Sequence, residues 1–199
     1  MNNKRVFDII CSGCGLVILS PLFVIIGLII KFTSPGSIFF RQQRVGLNGK
    51  LFYMHKFRTM IADAEKKGPK ITIGRDSRIT RIGYILRKTK LDELPQLIDV
   101  FIGNMSLVGP RPEVPEYVAL YPQDIKDIVL SVRPGITEWA SLEMLDESDI
   151  LAESSNPKET YVKVIMPKKL EYAVNYVQKH TFLSDMKIIV ATIIKIIKR

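Results

Sequence analysis

An uncharged apolar run near the N-terminus limits what this chain can fold into. It extends from Ile9 to Ile30 and reads IICSGCGLVILSPLFVIIGLII. A straight helix of this length, rising about 1.5 Å per residue, would just cross a bilayer core of ~30 Å. A cleaved signal peptide fits less well, because the run is long for such a segment and no Ala-x-Ala site follows it. We therefore expect a membrane segment that stays in the chain.

Ser20 and Pro21 interrupt the run near its middle. A proline inside a helix removes one backbone hydrogen bond and clashes with the preceding turn, which leaves two halves that are each too short to cross a bilayer. Basic residues flank both ends of the run, which draws both ends to the cytoplasmic side. A re-entrant hairpin satisfies both observations and a kinked straight span satisfies one. The residues alone leave both arrangements open.

The net charge narrows the class of partner. The chain has 199 residues, and 29 Lys and Arg against 20 Asp and Glu give a net charge of +9. This length allows one domain, or one domain plus an anchor. The charge suits anionic lipids, phosphorylated substrates or nucleic acid. Nucleic acid has the least support, since no zinc-finger spacing, RNA-binding aromatic signature or helix-turn-helix pattern stands out. We expect no nucleic-acid partner.

Cysteine usage excludes a disulfide scaffold. Cys11 and Cys14 are the only cysteines, and both lie inside the apolar run. A redox Cys-x-x-Cys pair belongs at a strand-to-helix turn of a soluble fold, and no further cysteine completes a zinc site. We interpret both as small residues of a membrane segment.

Two adjacent acids, Asp92 and Glu93, stand at the predicted start of a helix. Asp92 can cap that helix, Pro95 suits its first turn, and Gly103 stops it. Leu94, Leu97, Ile98 and Phe101 give it one apolar face. The basic residues just before the pair are Arg87, Lys88 and Lys90. Acids, cations and a helix N-terminus together favour a polyanion site, although a capped surface helix with solvated charges explains the same residues.

The segment Pro110-Arg111-Pro112 shifts the balance towards function. Two prolines stiffen the backbone around one arginine, as expected for a guanidinium that is held against a phosphate. Adjacent acids cannot oppose one another across a sugar as a glycosidase pair does. A carboxylate can instead attack a phosphoryl group, with Mg²⁺ and basic side chains neutralising charge. The spacing does not say which acid would be the nucleophile.

The remaining pattern predicts a mostly helical α+β fold. Residues 38–45 and 51–57 read as two strands around Asn48-Gly49, a strong hairpin signal. The basic residues of this ribbon, which could be a solvated edge or a phosphate-binding surface, are Arg41, Arg44, Lys56 and Arg58. His55 and His180 lack metal spacing. A last helix, Ser184 to Arg199, could lie on an anionic membrane or pack on the domain.

Long motifs give the chain a family resemblance. KLDELPQL at residues 90–97 and GNMSLVGPRP at residues 103–112 strongly resemble the bacterial sugar transferases, the monotopic polyprenyl-phosphate phosphoglycosyl transferases. The resemblance also covers the apolar run, KFRTM at residues 56–60 and RPGIT at residues 133–137. It implies a re-entrant hairpin over residues 1–33, broken at Ser20-Pro21. Residues 34–199 would form a cytosolic catalytic domain with membrane-surface helices, on the cytoplasmic face of the bacterial inner membrane.

The resemblance also implies a chemistry. Asp92 would attack the β-phosphate of a UDP-sugar and expel UMP, with Glu93 as its acidic partner and Mg²⁺ at the pair. The phosphosugar would then pass to polyprenyl (undecaprenyl) phosphate, the first membrane step of glycoconjugate synthesis. The substrate-binding positions that the resemblance implies are Arg58, Arg87, Arg111 and Pro112.

Two departures from the family pattern keep an alternative open. Ala173 occupies the place of an aspartate in a frequent Tyr-Asp-x-x-Tyr motif, and Glu138 stands where glycine is frequent. Sugar specificity and C-terminal site residues therefore do not transfer. The alternative function is a membrane-anchored binding or scaffolding homologue without catalysis. A homodimer is compatible with the sequence, which does not fix the oligomeric state.

Overall fold

A computed structural model describes residues 3–64, 76–144 and 147–198. Helices dominate, and the strands form two separate pairs. The helices are α1 (Asn3–Ile18), α2 (Ser20–Thr33), α3 (Arg81–Lys88), α4 (Gln96–Ile102), α5 (Pro115–Val118), α6 (Gln123–Val129), α7 (Trp139–Glu143), α8 (Glu147–Glu153), α9 (Pro157–Thr160), α10 (Met166–Lys179) and α11 (Phe182–Ile197). The strands are β1 (Phe39–Val45), β2 (Leu51–Phe57), β3 (Ser106–Val108) and β4 (Gly135–Thr137). The predicted fold class is confirmed.

The apolar run folds as a bent helix pair. Helix α1 ends at Ile18, α2 begins at Ser20, and their axes bend by 60° at this break. Pro21 lies in the first turn of α2, where a missing N–H leaves no hydrogen bond unmade. Across the described ranges, no single helix is long and apolar enough to cross a membrane. By length and composition the pair suits a broken span or a re-entrant loop, and Val17 and Ile18 near its bend are each 74% exposed.

The first half of α1 is tied to the rest of the chain by polar contacts. Lys4 Nζ lies 2.5 Å from Asp185 Oδ2 on α11. Arg5 donates to the carbonyls of Val100 and Phe101, at 2.6 and 2.9 Å, where α4 ends. Both carbonyls lie at the negative end of α4, where a guanidinium is stabilising, and that of Val100 also accepts from the Gly103 N–H at 3.1 Å. The helix pair is therefore fixed in place before it reaches its exposed end.

The remaining tie comes from Asp8, the residue immediately before the apolar run. Its buried carboxylate accepts a hydrogen bond of 3.1 Å from the backbone N–H of Leu107 on β3. A buried charge is tolerated only when it is hydrogen-bonded or paired. Asp8 therefore fixes the depth at which α1 meets the domain.

The predicted β-hairpin is present. β1 and β2 pair antiparallel from Phe39 opposite Phe57 to Val45 opposite Leu51. Asn48 and Gly49 both have positive φ, at 53° and 77°, as a tight hairpin turn requires.

The other strand pair brings two distant motifs together. β3 runs parallel to β4, with Ser106 opposite Gly135 and Val108 opposite Thr137. A side chain on Gly135 would collide with the backbone of Gly109, so this approach requires glycine. The loop of Pro110-Arg111-Pro112 is thereby held next to the start of α7.

Helix α4 differs from the prediction. Asp92 does not cap it, because residues 91–93 form a separate 3₁₀ turn and α4 begins at Gln96 without a side-chain cap. The buried residues of α4 are Gln96, Asp99 and Val100, so its buried face is mixed in polarity. The predicted apolar face lies towards α1, where Gly13 and Gly15 leave room for Phe101 and Leu97. The spacing predicted an apolar face correctly, and the partner of that face is α1.

The C-terminal third packs as helices on this frame. Val114, Tyr117 and Leu170 belong to its main apolar cluster, which also buries Ala173. Helix α11 begins with a capping box between Thr181 and Ser184. It buries Ile188 and leaves several apolar residues exposed, namely Val190, Ile193, Ile194, Ile196 and Ile197. Packing on the domain is thus observed for one face, and contact of the exposed apolar face with a membrane stays a prediction.

We predict that the tie between α1 and α11 stabilises the fold. Asp185→Asn should lower the free energy of unfolding by about 2 kcal/mol, because it leaves the ammonium of Lys4 without its counter-charge. The loss stays below that of a fully buried pair, since the side chain of Lys4 is 26% exposed and that of Asp185 is 3% exposed. Thermal unfolding in one detergent would measure it. Glu159→Gln, which breaks an exposed pair with Lys163, is the control; equal melting temperatures for both variants would contradict the prediction.

Candidate active site

The acidic pair lies on a short turn between α3 and α4. Residues 91–93 form a 3₁₀ turn, and Lys90 before it has a φ of 60°. This left-handed residue reverses the chain after α3 and turns both acids inward. Asp92 is only 7% exposed. Two adjacent carboxylates in a buried place require nearby cations.

Two cations from distant parts of the chain hold Glu93. Lys56 Nζ on β2 lies 2.8 Å from Glu93 Oε1. Arg111 Nη2 lies 2.6 Å from the same oxygen, and its Nη1 lies 3.5 Å from Oε2. A guanidinium spanning both oxygens of a carboxylate gives a strong and oriented contact. The Pro-Arg-Pro segment thus reaches the acidic pair, as the sequence predicted.

The surroundings push the pKa values of the two acids in opposite directions. Burial alone would raise the pKa of Glu93, but Arg111 and Lys56 outweigh it and hold that pKa well below its usual range. Burial and the negative charge of Glu93 raise the pKa of Asp92 above its usual value. Glu93 is therefore the firmly ionised member, and Asp92 is the more basic carboxylate.

Lys56 is a site residue that the sequence reasoning placed only in a general basic ribbon. Strand residues alternate between two faces, so Lys56 shares a face with Phe52 and Met54. Those two residues are buried against α4, and Lys56, the next residue on the same face, contacts Glu93. The alternation was readable in the sequence, and a lysine that follows two buried apolar positions was the available signal.

Arg87 and Arg58 take different positions relative to the pair. Arg87 Nε donates to Thr59 Oγ1 at 2.8 Å, and its charge is among those that favour the ionised form of Asp92. Arg58 is buried, and its guanidinium donates to the carbonyls of Ser34 and Pro35 at the end of α2. In the described part of the chain, Arg58 has no hydrogen bond or ion pair with either acid. The structure brings Arg87 and Arg111 to the site and leaves Arg58 bracing the turn after the helix pair.

Pro112 and Glu113 support Arg111 from behind. Pro112 is buried, and its carbonyl accepts from Arg44 Nη1 at 3.3 Å. The same nitrogen lies 3.0 Å from Glu113 Oε1, and Tyr161 donates to the other oxygen of Glu113. These contacts link β1 and the C-terminal helices to the loop that presents Arg111, and so fix the direction of its side chain.

Glu138, the residue before α7, is a further buried acid close to Arg111. It is 4% exposed, and burial raises its pKa to about 7, although the charge of Arg111 and a hydrogen bond from the Arg111 backbone oppose the rise. This residue stands where the family pattern has glycine. No local sequence pattern predicts its position beside Arg111.

His55 and Asp99 form a pair outside the acidic site. Asp99 Oδ2 accepts from the backbone N–H of His55 at 2.8 Å, and Oδ1 lies 2.9 Å from its Nδ1. The pair joins β2 to α4, which supports the structural interpretation of His55. His180 stacks on Tyr176.

Whether the acidic pair fits Mg²⁺ can be judged from its contacts. Within the described residues, no three His, Cys, Asp or Glu side chains converge. Glu93 already accepts from Lys56 and Arg111, while Asp92 has no hydrogen bond or ion pair to a described side chain. Mg²⁺ commonly binds one or two carboxylates and completes its shell with substrate phosphate and water. Asp92 can supply the one carboxylate that this requires, with the adjacent Glu93 already contacted by Lys56 and Arg111.

Comparison with known proteins decides the family. Residues 1–199 match the bacterial sugar transferase family over their whole length. The chain belongs to that family. The resemblance inferred from residues 90–97 and 103–112 is thereby confirmed.

Several relatives of known description are similar to this bacterial sugar transferase. One is the UDP-glucose:undecaprenyl-phosphate glucose-1-phosphate transferase of Escherichia coli strain K12, 36% identical over 96% of this chain and 39% of the relative. Another is the UDP-N-acetylgalactosamine-undecaprenyl-phosphate N-acetylgalactosaminephosphotransferase of Aeromonas hydrophila, 33% identical over 96% and 42%. The exopolysaccharide production protein PSS of Rhizobium leguminosarum bv. phaseoli is 34% identical over 98% and 96%. The chain thus spans about two-fifths of the first two, at 39% and 42% of their lengths, and nearly all of the third.

Glu138 predicts a pH-dependent stability of this family member. Its pKa is about 7 in the folded chain against 4.5 ordinarily, so between these values the folded state keeps a proton that the unfolded state has lost. Stability from this group is therefore full below pH 4.5 and is lost as the pH rises to 7. Glu138→Gln removes this loss. Its effect on the free energy of unfolding, relative to the wild type, should therefore be more stabilising at pH 8 than at pH 5, by about 3 kcal/mol at most.

Chemical denaturation at pH 5 and pH 8 would measure this difference. The exposed Glu171→Gln is the matched control and should unfold as the wild type does at both pH values. An equal effect of Glu138→Gln at pH 5 and pH 8 would show that the carboxyl is ionised normally in the folded chain.

Proposed function

We propose that this chain transfers sugar 1-phosphate from a UDP-sugar to polyprenyl (undecaprenyl) phosphate and releases UMP. The observation that carries the proposal is the buried Asp92 with a raised pKa beside a Glu93 that two cations keep ionised. The printed names of the Escherichia coli and Aeromonas relatives describe such transfers for those proteins. The step would begin polysaccharide or other glycoconjugate synthesis at the membrane.

Asp92 acts as the nucleophile of the first step. One of its oxygens forms a bond to the β-phosphorus of the donor, the bond to the bridging oxygen breaks, and UMP leaves with that oxygen. In the second step an oxygen of the lipid phosphate attacks the same phosphorus and Asp92 is released. Asp92 is better suited than Glu93, because the more basic carboxylate is the better nucleophile and the oxygens of Glu93 are held by Lys56 and Arg111.

Cations around the pair serve the charge that the reaction moves. Phosphoryl transfer is catalysed mainly by positioning and by stabilising charge on the phosphoryl oxygens. Arg111 and Arg87 contribute guanidinium groups beside the acids, and Pro112 fixes the loop of Arg111. Arg58 is proposed to support substrate binding indirectly, because its guanidinium braces the turn at Ser34 and Pro35. Mg²⁺ at Asp92 and Glu93 would neutralise the diphosphate of the donor.

The position of the helix pair supports a membrane-bound enzyme. We propose that residues 1–33 form the re-entrant hairpin and that residues 34–199 carry the chemistry on the cytoplasmic face of the inner membrane. The bend at the break and the exposed apolar residues around it support this arrangement. Such a monotopic placement lets a soluble nucleotide and a lipid phosphate meet at one site.

Asp92→Asn provides the direct test. In nanodiscs with UDP-sugar, polyprenyl phosphate and Mg²⁺, this variant should lose at least about a thousandfold in UMP release, because the amide cannot form the phosphorus bond. Donor alone should give wild-type protein an adduct with the mass of a phosphosugar on the peptide of residues 91–96. Chelation of Mg²⁺ should stop turnover.

Exposed Asp124→Asn should keep full activity and serves as the matched control. Undiminished UMP release from Asp92→Asn would refute the nucleophile. A properly folded wild-type protein without turnover on any UDP-sugar would instead favour a scaffolding homologue.

Lys56→Met tests how the ionised state of Glu93 is maintained. Losing one of its two cations should raise the pKa of Glu93, so the acid side of the activity profile should move to higher pH. Turnover at neutral pH should fall by roughly tenfold to a hundredfold. The pH dependence of kcat/KM measures both effects, with the exposed Lys50→Met as control. An unshifted acid limb would show that Arg111 alone determines the charge of Glu93.

A further inference from the structure

A cavity of about 250 Å³ opens beside the acidic pair. One part of its wall is charged and includes Lys90, Glu93 and Arg111. The opposite wall is α11, which contributes Ile189, Thr192, Ile193, Lys195 and Ile196. Thr192 and Thr137 hydrogen-bond at 2.7 Å, which fixes the distance of α11 from β4. The cavity is therefore built between the reaction site and the last helix.

The wall chemistry indicates what the cavity accepts. Eight of its fifteen lining residues are aliphatic, and they come from five elements and the turn before α4: Leu94, Leu97, Leu107, Ile136, Leu142, Ile189, Ile193 and Ile196. The described lining contains no aromatic ring on which a nucleobase could stack. Its charged residues are three cations and one acid, so an anionic group is favoured. A negatively charged head on a branched aliphatic chain matches both features, and a nucleotide matches one.

The cavity also continues onto a surface that suits lipid. Ile193 and Ile196 line it and are at the same time 52% and 41% exposed. Val190, Ile194 and Ile197 extend the apolar face of α11 outside the cavity. A helix with one packed face and one exposed aliphatic face is typical of helices that lie at a membrane surface. An aliphatic chain could pass from the cavity into the bilayer without crossing water.

We propose that this cavity binds the phosphate and the first isoprene units of the polyprenyl phosphate acceptor. The proposal rests on the proposed function and assigns the acceptor a place in it. Lys90 and Arg111 face the phosphate, next to the acids, and α11 forms the wall along the chain. At about 250 Å³ the cavity is smaller than pockets that enclose whole drug-sized ligands, so the remaining isoprene units stay in the bilayer.

Neighbouring isoleucines on α11 provide a matched pair of variants. Ile193→Trp fills the cavity from its open side, whereas Ile194→Trp adds the same ring to an exposed position outside the lining. Ile193→Trp should raise the KM for polyprenyl phosphate by about tenfold or more, as expected when aliphatic space in a binding pocket is occupied. The burst of UMP that donor alone produces should stay unchanged. Ile194→Trp should alter neither quantity.

An acceptor KM within twofold of the Ile194→Trp value would overturn the proposal. A donor-only burst that falls in parallel with acceptor use would also overturn it, because the cavity would then serve the nucleotide. Ile193→Ala leaves the space open, so the folded variant should keep the wild-type KM for the acceptor. Its melting temperature and that of Ile193→Trp separate blocked binding from lost structure.

A labelling experiment without turnover separates this inference from the proposed function. Wild-type protein in nanodiscs, without donor, is irradiated with a diazirine-bearing isoprenyl phosphate. Labels should map to residues 136–142 or 189–196, and should disappear in Ile193→Trp but remain in Ile194→Trp. Labelling at these residues, combined with no UMP release in the separate assay with UDP-sugar, would refute the transferase and leave the site standing. UMP release with labels confined to other peptides, or equal protection by phosphatidic acid, would refute the site.

Discussion

The ion pairs of Glu93 are the contacts on which the rest of the site depends. Lys56 and Arg111 meet one carboxylate oxygen at 2.8 and 2.6 Å, although they come from a hairpin and a loop far apart in sequence. Removing a buried charge from water is costly unless partners are fixed in place. Because both cations are held, Glu93 stays ionised, and burial together with the charge of Glu93 raises the pKa of Asp92. The pKa of Asp92 therefore depends in part on its neighbour.

Contacts between the surrounding helices and strands hold those two cations in place. Lys56 is placed because β2 packs on α4, where His55 and Asp99 join the two elements. Arg111 is placed because β3 and β4 approach through Gly109 and Gly135. The contact of β2 with α4 is also apolar, since Phe52 and Met54 pack with Val100, so the polar link adds to a packed interface.

The features that the sequence could predict depend on interactions between residues close together in the chain. The acidic pair, the Pro-Arg-Pro loop, the hairpin turn at Asn48-Gly49 and the break at Ser20 are local patterns, and the structure contains them all. The helix cap at Asp92 was wrong, because the left-handed Lys90 makes a separate turn that local spacing does not reveal. Site residues that depend on long-range pairing were harder to assign. Lys56 was readable from strand alternation, whereas Glu138 was not.

The location of Arg58 shows why a shared motif does not by itself assign a role. KFRTM carries both Lys56 and Arg58 on one face of an extended segment, yet the strand ends at Phe57. The backbone N–H of Arg58 still donates to the Ile38 carbonyl at 2.9 Å, but its guanidinium donates to the carbonyls of Ser34 and Pro35, which follow α2. One basic residue of the motif thus reaches the acids, and the other braces the turn after the bent helix pair. The same five residues therefore contact both the helix pair and the acidic site, as the proposed transfer from a soluble donor to a lipid acceptor would require.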